Sequence, residues 1–179
     1  MKALSTALRI LQEFATAQAP LSVVELANRL ALNKSQISKV LKTYRDSGLL
    51  EQDPDTRKYS VGLHAFALGN NYVNANPLSR DALPIMRKLV DETGHSAVLS
   101  LLHGSEIIHL LAVEGRLFID GRWRVGRWMP YHTTSAGKVL VAFSPAETLE
   151  SLLETRGLPR LTPYTITDPR QFRAVIKKI

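Results

Sequence analysis

The sequence predicts an α+β chain built in two parts, and three observations predict it. Apolar residues recur at helical spacing through most of residues 4–47, and Gly48 stands ready to stop the run. Residues 49–62 then alternate as a short hairpin. Beyond Pro77 a helix precedes two strands, within 95–115, that are apolar at nearly every position, as in a sheet covered on both faces.

Within the first part, Leu4, Leu8, Leu11 and Phe14 or Ala15 give residues 4–17 one apolar stripe, and "AQAPLS" breaks that helix. Residues 22–30 form a second helix, with Ser22 as N-cap and Glu25 at the capping-box position. A third runs over 34–47, where Asn33 can cap and Gln36 stands three residues on to return the bond. In the hairpin, Leu50 and Gln52 alternate, Pro54-Asp55 turns, and Tyr59 and Val61 alternate on the way back. Residues 63–75 are again helical, with Leu63, Phe66 and Val73 along one side, and "NANP" (74–77) marks a domain boundary.

In the second part, Leu83, Met86, Leu89 and Val90 point inward from a helix over 78–93 that Gly94 closes. Two strands flank a His103-Gly104-Ser105 turn, and "LFIDGRWRVGRWMPYH" is irregular and basic. "TTSAGKVLVAF" begins a short helix. "SPAETLESLL" begins another, with Ser144 as cap, Pro145 at the first position and Glu147 at the third. Asp168 caps a last helix. The sequence stops inside that helical pattern with no stop signal, which suggests an incomplete domain.

The chain has 179 residues, room for one large or two small domains. Its 23 Lys and Arg against 16 Asp and Glu leave a net charge of +7, with a pI near 9.9. That balance favours anionic partners: nucleic acid first, acidic metabolites or a membrane surface next. The absence of cysteine excludes disulfide frameworks, thiolate zinc sites and cysteine nucleophiles. No run approaches the roughly 18 apolar residues of a membrane span, and the N-terminus carries Arg9 and Glu13, so it reads as an amphipathic helix rather than a secretory peptide. The expected setting is the cytoplasm, away from membranes.

The helices at 22–30 and 34–47 satisfy the packing problem of a helix-turn-helix. Leu26, Leu30, Leu32, Ile37 and Val40 occupy the apolar positions, and Ala27 is the small residue where the helices cross. Ala31 sits in the turn where glycine is usual. The alternative is a plain helical hairpin, but the following hairpin favours a DNA-binding unit. At 100° per residue, Ser35, Lys39 and Lys42 oppose Ile37, Val40 and Tyr44, and no acid interrupts that face before Asp46. We assign base contact to Ser35, Gln36 and Lys39, and phosphate contact to Lys34, Ser38 and Lys42. Arg57 and Lys58 suit a wing lying along the backbone or dipping into the minor groove.

His64, His95, His103, His109 and His132 show no ligand spacing and no acidic cluster, so neither a metal nor a cofactor is expected. "SAGK" (135–138) has the Ser-x-x-Lys form of a serine nucleophile, but the Ser-Asp-Asn and Lys-Thr-Gly companions are missing. Nor does it complete a phosphate-binding loop. The free N–H groups of a helix opening at "TTSAG" are suited instead to a carboxylate or another anion.

"STALRILQEFA", "SVVELANRLALNKSQISKVLKTYRDSGLLE", "DPDTRKYSVG" and "VGRWMPYHTTSAGKVLVAF", in this order and spacing, resemble the IclR family of bacterial transcriptional regulators. The last is similar to the family's V-G-x-x-x-P-x-H, small residues, then G-K. The resemblance covers the whole chain. It implies a winged helix-turn-helix over 1–62, a linker helix over 63–76, and a GAF-like α/β effector domain over 77–179 whose second half is absent from this sequence. It implies a homodimer, often paired into a homotetramer, on palindromic double-stranded operators, with repressors among its members. It also implies a small metabolite effector, frequently a carboxylate, held on the backbone amides of Ser135 and Ala136, with apolar walls from Phe118, Met129 and Trp128. Two other readings are a ligand-binding module whose helix-turn-helix meets protein, and a hydrolase built on Ser135 and Lys138.

Overall fold

The computed structural model describes residues 2–117 and 125–179, and the chain divides into two compact units, Met1–Asn76 and Pro77–Ile179. The first contains α1 (Lys2–Thr16), α2 (Val23–Leu30), α3 (Lys34–Asp46), β1 (Leu50–Gln52), β2 (Tyr59–Val61) and α4 (Leu63–Ala75). Its core joins Ile10 and Phe14 of α1, Leu26 and Ala27 of α2, Ile37 and Leu41 of α3, and Leu50 and Tyr59 of the hairpin. The stripe expected on α1 is shifted: Ile10 and Phe14 are buried, whereas Leu4 and Leu8 are exposed. This helix carries apolar residues on more than one line, and only its contacts with α2 and α3 select which line is inside.

The hairpin pairs Leu50 with Val61 and Gln52 with Tyr59, antiparallel. Of the two residues expected to alternate on the return strand, Tyr59 is buried and Val61 is exposed. Leu21 adds a bridge that local pattern does not announce. Its N–H donates to the Tyr59 carbonyl and its carbonyl accepts from the Tyr59 N–H, both at 2.8 Å. Gly48 ends α3 with φ +72, a conformation other residues adopt only at a cost. The same glycine lets α4 dock closely, since a Cβ there would stand 2.6 Å from the His64 ring. His64 Nδ1 lies 2.7 Å from the Ser47 carbonyl. No residue of α4 is buried, and Leu63 and Phe66 of its expected inner side are exposed.

The second unit contains α5 (Pro77–Thr93), β3 (Ala97–His103), β4 (Glu106–Val113), β5 (Trp128–Pro130), a 3-10 turn (Tyr131–Thr133), α6 (Ser135–Ala142), α7 (Ala146–Thr155) and α8 (Pro169–Ile176). The sheet is antiparallel in the order β3-β4-β5. β5, which falls in the segment expected to be irregular, pairs Met129 with Ile107 and Trp128 with Ile108. Both α5 and α6 pack on β3 and β4. His109 and its neighbour Leu110 are both buried. Consecutive strand residues point to opposite faces, so this part of β4 is covered on both.

On α5, Met86 and Val90 are buried as expected, but Leu89 is exposed. Ser144 does not cap α7. Its hydroxyl donates to the Leu140 carbonyl at 2.7 Å, and Pro145 holds the cap position without a side-chain bond. The connection from α6 is so short that the end of one helix takes the serine before the start of the next. Asp168 does cap α8, accepting from Arg170 N–H at 2.7 Å, with Pro169 opening the helix. Tyr131, Val141, Leu152, Leu158, Phe172 and Ile176 form the core that joins α6, α7 and α8.

Candidate nucleic-acid interface and effector site

The helix-turn-helix begins from a closed capping box. Glu25 N–H donates to Ser22 Oγ at 3.2 Å, and Ser22 N–H donates to Glu25 Oε2 at 2.7 Å. At the turn, Ala31 adopts φ 53, ψ 44, the left-handed region that costs an alanine about 1 kcal/mol. In return the Ala31 N–H and the Leu32 N–H both reach the Ala27 carbonyl, satisfying the end of α2. Asn33 caps α3 by accepting from Ser35 N–H at 2.8 Å, and the reciprocal bond expected from Gln36 is not formed.

The core contacts of α3 set its roll. Ile37 and Leu41 have 0% exposure, so the opposite face stands outward. Lys34, Ser35, Gln36, Ser38, Lys39 and Lys42 are all exposed. Farther along, the Arg45 guanidinium bonds Asp46 at 2.8 Å and Gln52 at 3.3 Å, tying the end of α3 to β1.

Asp53 builds the hairpin tip. Its Oδ1 accepts from Asp55 N–H, Thr56 N–H and the Thr56 hydroxyl at 3.1, 2.6 and 2.8 Å. Arg57 takes φ 59 and is exposed, with no ion-pair partner among the described residues. Lys58 differs: its Nζ lies 3.6 Å from Glu25 Oε1. The two wing cations are therefore not equivalent. Glu25 closes the capping box and also holds the wing against α2. No spacing rule finds this pair, because its members are 33 residues apart.

The Ser22 N–H bond, then the Ser22 hydroxyl and Lys58, hold the Glu25 carboxyl below its ordinary value of 4.5. The Thr56 bonds hold Asp53 below 3.8. A depressed carboxylate contributes stability above its unfolded value and loses it as pH falls through the folded one. Urea midpoints of the first unit are thus expected to decline as pH drops below about 4.5. Glu25→Gln lowers the midpoint at pH 7 and flattens that decline. An equal slope in both proteins excludes Glu25 as a source.

In the second unit, Thr134 caps α6 by accepting from Gly137 N–H at 3.0 Å. The Ser135 and Ala136 N–H groups before it have no acceptor among the described residues. Gly137 is buried against the preceding turn, where a Cβ would stand 2.1 Å from the Tyr131 carbonyl oxygen. That turn is anchored behind: the Tyr131 hydroxyl donates to the Gly157 carbonyl at 3.1 Å, and His132 Nε2 lies 3.0 Å from the Pro159 carbonyl. His132 thus ties this turn to the segment after α7. No hydrogen bond joins Ser135 to Lys138, so what this corner presents is backbone N–H.

Trp128 and Met129 are half-buried on β5. Trp128 meets the His103 ring at 5.9 Å, while Met129 pairs with Ile107. As neighbours in a strand they leave opposite faces of the sheet. Phe118 lies outside the described residues. One polar pair has no counterpart in the sequence reading. At a bulge between Leu99 and Ser100, the Ser100 hydroxyl lies 2.8 Å from His109 Nδ1. Burial, and then Arg127, keep the His109 pKa below its ordinary value. An open depression of about 550 Å³ lies elsewhere, between Gly104-Ser105 and α7.

The model of the IclR C-terminal domain, described as that of a bacterial transcriptional regulator, matches residues 70–179, and the IclR helix-turn-helix model matches residues 3–54. The HTH-type transcriptional regulator XynR of Escherichia coli (strain K12) is 30% identical over 166 residues, 93% of this chain and 66% of the relative. BhcR of Paracoccus denitrificans (strain Pd 1222) is 32% identical, across 94% of this chain and 60% of the relative. The glycerol operon regulatory protein of Streptomyces griseus is 30% identical, across 98% and 68%. The chain thus spans roughly two thirds of the length of the curated relatives it matches. Among solved structures, an IclR regulator from Alicyclobacillus acidocaldarius superposes with a TM-score of 0.81 at 25% identity, over 99% of this chain and 72% of that one. An IclR homolog from Microbacterium hydrocarbonoxydans, complexed with 4-hydroxybenzoate, gives 0.79 at 25% identity, over 98% and 72%. With two family models matching successive stretches of it, this chain belongs to the IclR family of bacterial transcriptional regulators.

Proposed function

We propose that this chain is a cytoplasmic, sequence-specific DNA-binding regulator of transcription whose operator affinity is set by a small acid. The observation that carries this reading is the outward face of α3. Lys34, Ser35, Gln36, Ser38, Lys39 and Lys42 are exposed together, above a helix side whose Ile37 and Leu41 are fully buried. Such a face offers donors to base edges and charge to phosphates. In this reading Ser35, Gln36 and Lys39 meet bases, while Lys34, Ser38, Lys42 and Arg57 meet the backbone. Lys58 serves the same wing while paired with Glu25. The first unit is the DNA-binding domain with α4 as its linker, and the second is an effector domain.

The effector would be a carboxylate, aromatic or aliphatic, held by the free N–H groups of Ser135 and Ala136. Met129 and Phe118 are the candidate walls; Trp128 leaves the opposite face of the sheet and would not line the same site. Binding of 4-hydroxybenzoate by the Microbacterium hydrocarbonoxydans homolog makes aromatic acids a reasonable first probe. The chain would act on palindromic double-stranded DNA as a homodimer, two copies meeting half-sites about 34 Å apart. Leu4 and Leu8 of α1 and Leu63, Phe66 and Leu68 of α4, all exposed, supply apolar surface for that pairing.

Mobility shift with duplexes selected from a random pool tests the reading. Lys39→Ala is expected to relax preference at one base position, by about 1–3 kcal/mol. Arg57→Ala is expected to weaken all duplexes alike and to reduce the salt slope by about one. Unchanged affinity in both variants overturns the assignment. In a thermal-shift screen of small acids, no response from any acid counts against the effector half.

A further inference from the structure

Arg57, near the tip of the hairpin, carries a strained backbone. Its φ of 59 lies in the left-handed region, which favours glycine. Strain of this kind persists where the surroundings over-determine it, and it gathers where a side chain is wanted in a set place. Both backbone polar groups of Arg57 are held. Its N–H donates to the Asp53 carbonyl at 3.0 Å, and its carbonyl accepts from Gln52 Nε2 at 3.0 Å. The first bond belongs to the turn itself. The second comes from a side chain on β1 that reaches in two directions. Gln52 Oε1 also accepts from Arg45 Nη1 at 3.3 Å. Arg45 stands in the last turn of α3, where Asp46 Oδ1 holds it at 2.8 Å.

One amide thus joins the end of α3 to the strained residue of the wing. An amide suits this place for a chemical reason. Arg45 can only donate and the Arg57 carbonyl can only accept, so the side chain between them must do both at once. A carboxylate would lose the bond to the carbonyl, an ammonium the bond to the guanidinium, and an alkyl chain both. The hairpin itself does not need the amide, because β1 and β2 are paired through their backbones from Leu50 and Val61 to Gln52 and Tyr59. Lys58, the other cation of the wing, has its own tether in Glu25. We propose that Gln52 is a positioning residue for DNA binding, which locks Arg57 to α3 so that helix and wing meet the duplex as one rigid piece. The proposal rests on the DNA-binding reading above and adds to it the device that couples the two contact elements.

Mobility shift of the full chain with one selected duplex, over a range of salt concentrations, tests this. Gln52→Ala and Gln52→Met remove no charge, yet each is expected to weaken binding and to lower the salt slope by up to about one, as Arg57→Ala does. A loosened Arg57 no longer neutralises its phosphate, whereas a merely destabilised domain loses affinity with its salt slope intact. In an Arg57→Ala background, Gln52→Ala is expected to add nothing further. Arg57→Gly keeps the carbonyl that Gln52 holds and relieves the backbone. It is expected to raise the urea midpoint of the first unit while weakening DNA binding as Arg57→Ala does. An unchanged salt slope in both Gln52 variants, or a Gln52 effect that persists in full without the Arg57 side chain, overturns the proposal and leaves Gln52 a brace of the hairpin. A lower midpoint in Arg57→Gly equally overturns it, since no strain would then be held. Were Lys39→Ala and Arg57→Ala both without effect, the DNA-binding assignment itself would fail, and this proposal with it.

Discussion

Replacing Gly137 with alanine is expected to lower the stability of the second unit by about 3 kcal/mol or more, despite the general preference of helices for alanine. Gly137 lies in the first turn of α6, where the exchange would ordinarily gain up to about 1 kcal/mol. Here the added Cβ would stand 2.1 Å from the Tyr131 carbonyl oxygen and 2.9 Å from Thr134 Oγ1. A carbonyl held by its own turn cannot swing aside as a flexible side chain does. The Tyr131 hydroxyl and His132 are bonded to the Gly157 and Pro159 carbonyls, so the turn is fixed from behind. Relief must come from moving the start of α6, which breaks the Thr134 cap and displaces the Ser135 and Ala136 N–H groups. Urea unfolding followed by tryptophan fluorescence reads the effect, since both tryptophans of the chain, Trp123 and Trp128, belong to the second unit. An unchanged or raised midpoint would show that the close approach is absent. Any thermal shift produced by a small acid is expected to vanish in the same variant.

Leu41→Ala is expected to cost the first unit about 2–5 kcal/mol. Leu41 has 0% exposure and packs in the core shared by α1, α2, α3 and the hairpin. The loss is a large part of the roughly 5–15 kcal/mol that holds a typical domain together, and a unit of this size has little other core to spread it over. DNA binding should fail because α3 loses its seat, while tryptophan-monitored unfolding of the second unit stays as it was. Lys42→Ala supplies the contrast one residue away. Its exposed side chain should change stability by less than about 0.5 kcal/mol, yet it should weaken DNA binding. Equal loss of stability in the two variants would mean that α3 is not rolled as described.

The parts of this structure legible in the sequence are those whose determinants lie within a few residues of one another. Ser22 and Glu25 close a capping box three positions apart, Asn33 caps α3, and Asp168 with Pro169 opens α8. Ala31 takes the left-handed turn that its place in the motif requires. Ile37 and Val40 lie inward and Lys39 outward for the same reason, because helical period alone divides the two sides of a short helix.

What the residues by themselves determined about this protein is therefore its helices, the outward face of α3, and the small-residue corner at α6 that carries the family pattern. Tertiary structure decided which of several apolar lines on α1 is buried, that β5 exists, and that Leu21 joins the hairpin. It also decided that Lys58 turns to Glu25 while Arg57 has no ion-pair partner among the described residues, and that Gly137 is required by the Tyr131 carbonyl. Each of these depends on a partner outside the local pattern. β5 has only three residues, too few to display alternation, and Glu25 lies 33 positions before Lys58. Contacts of that kind form only when the chain has folded back on itself, and no local period encodes them.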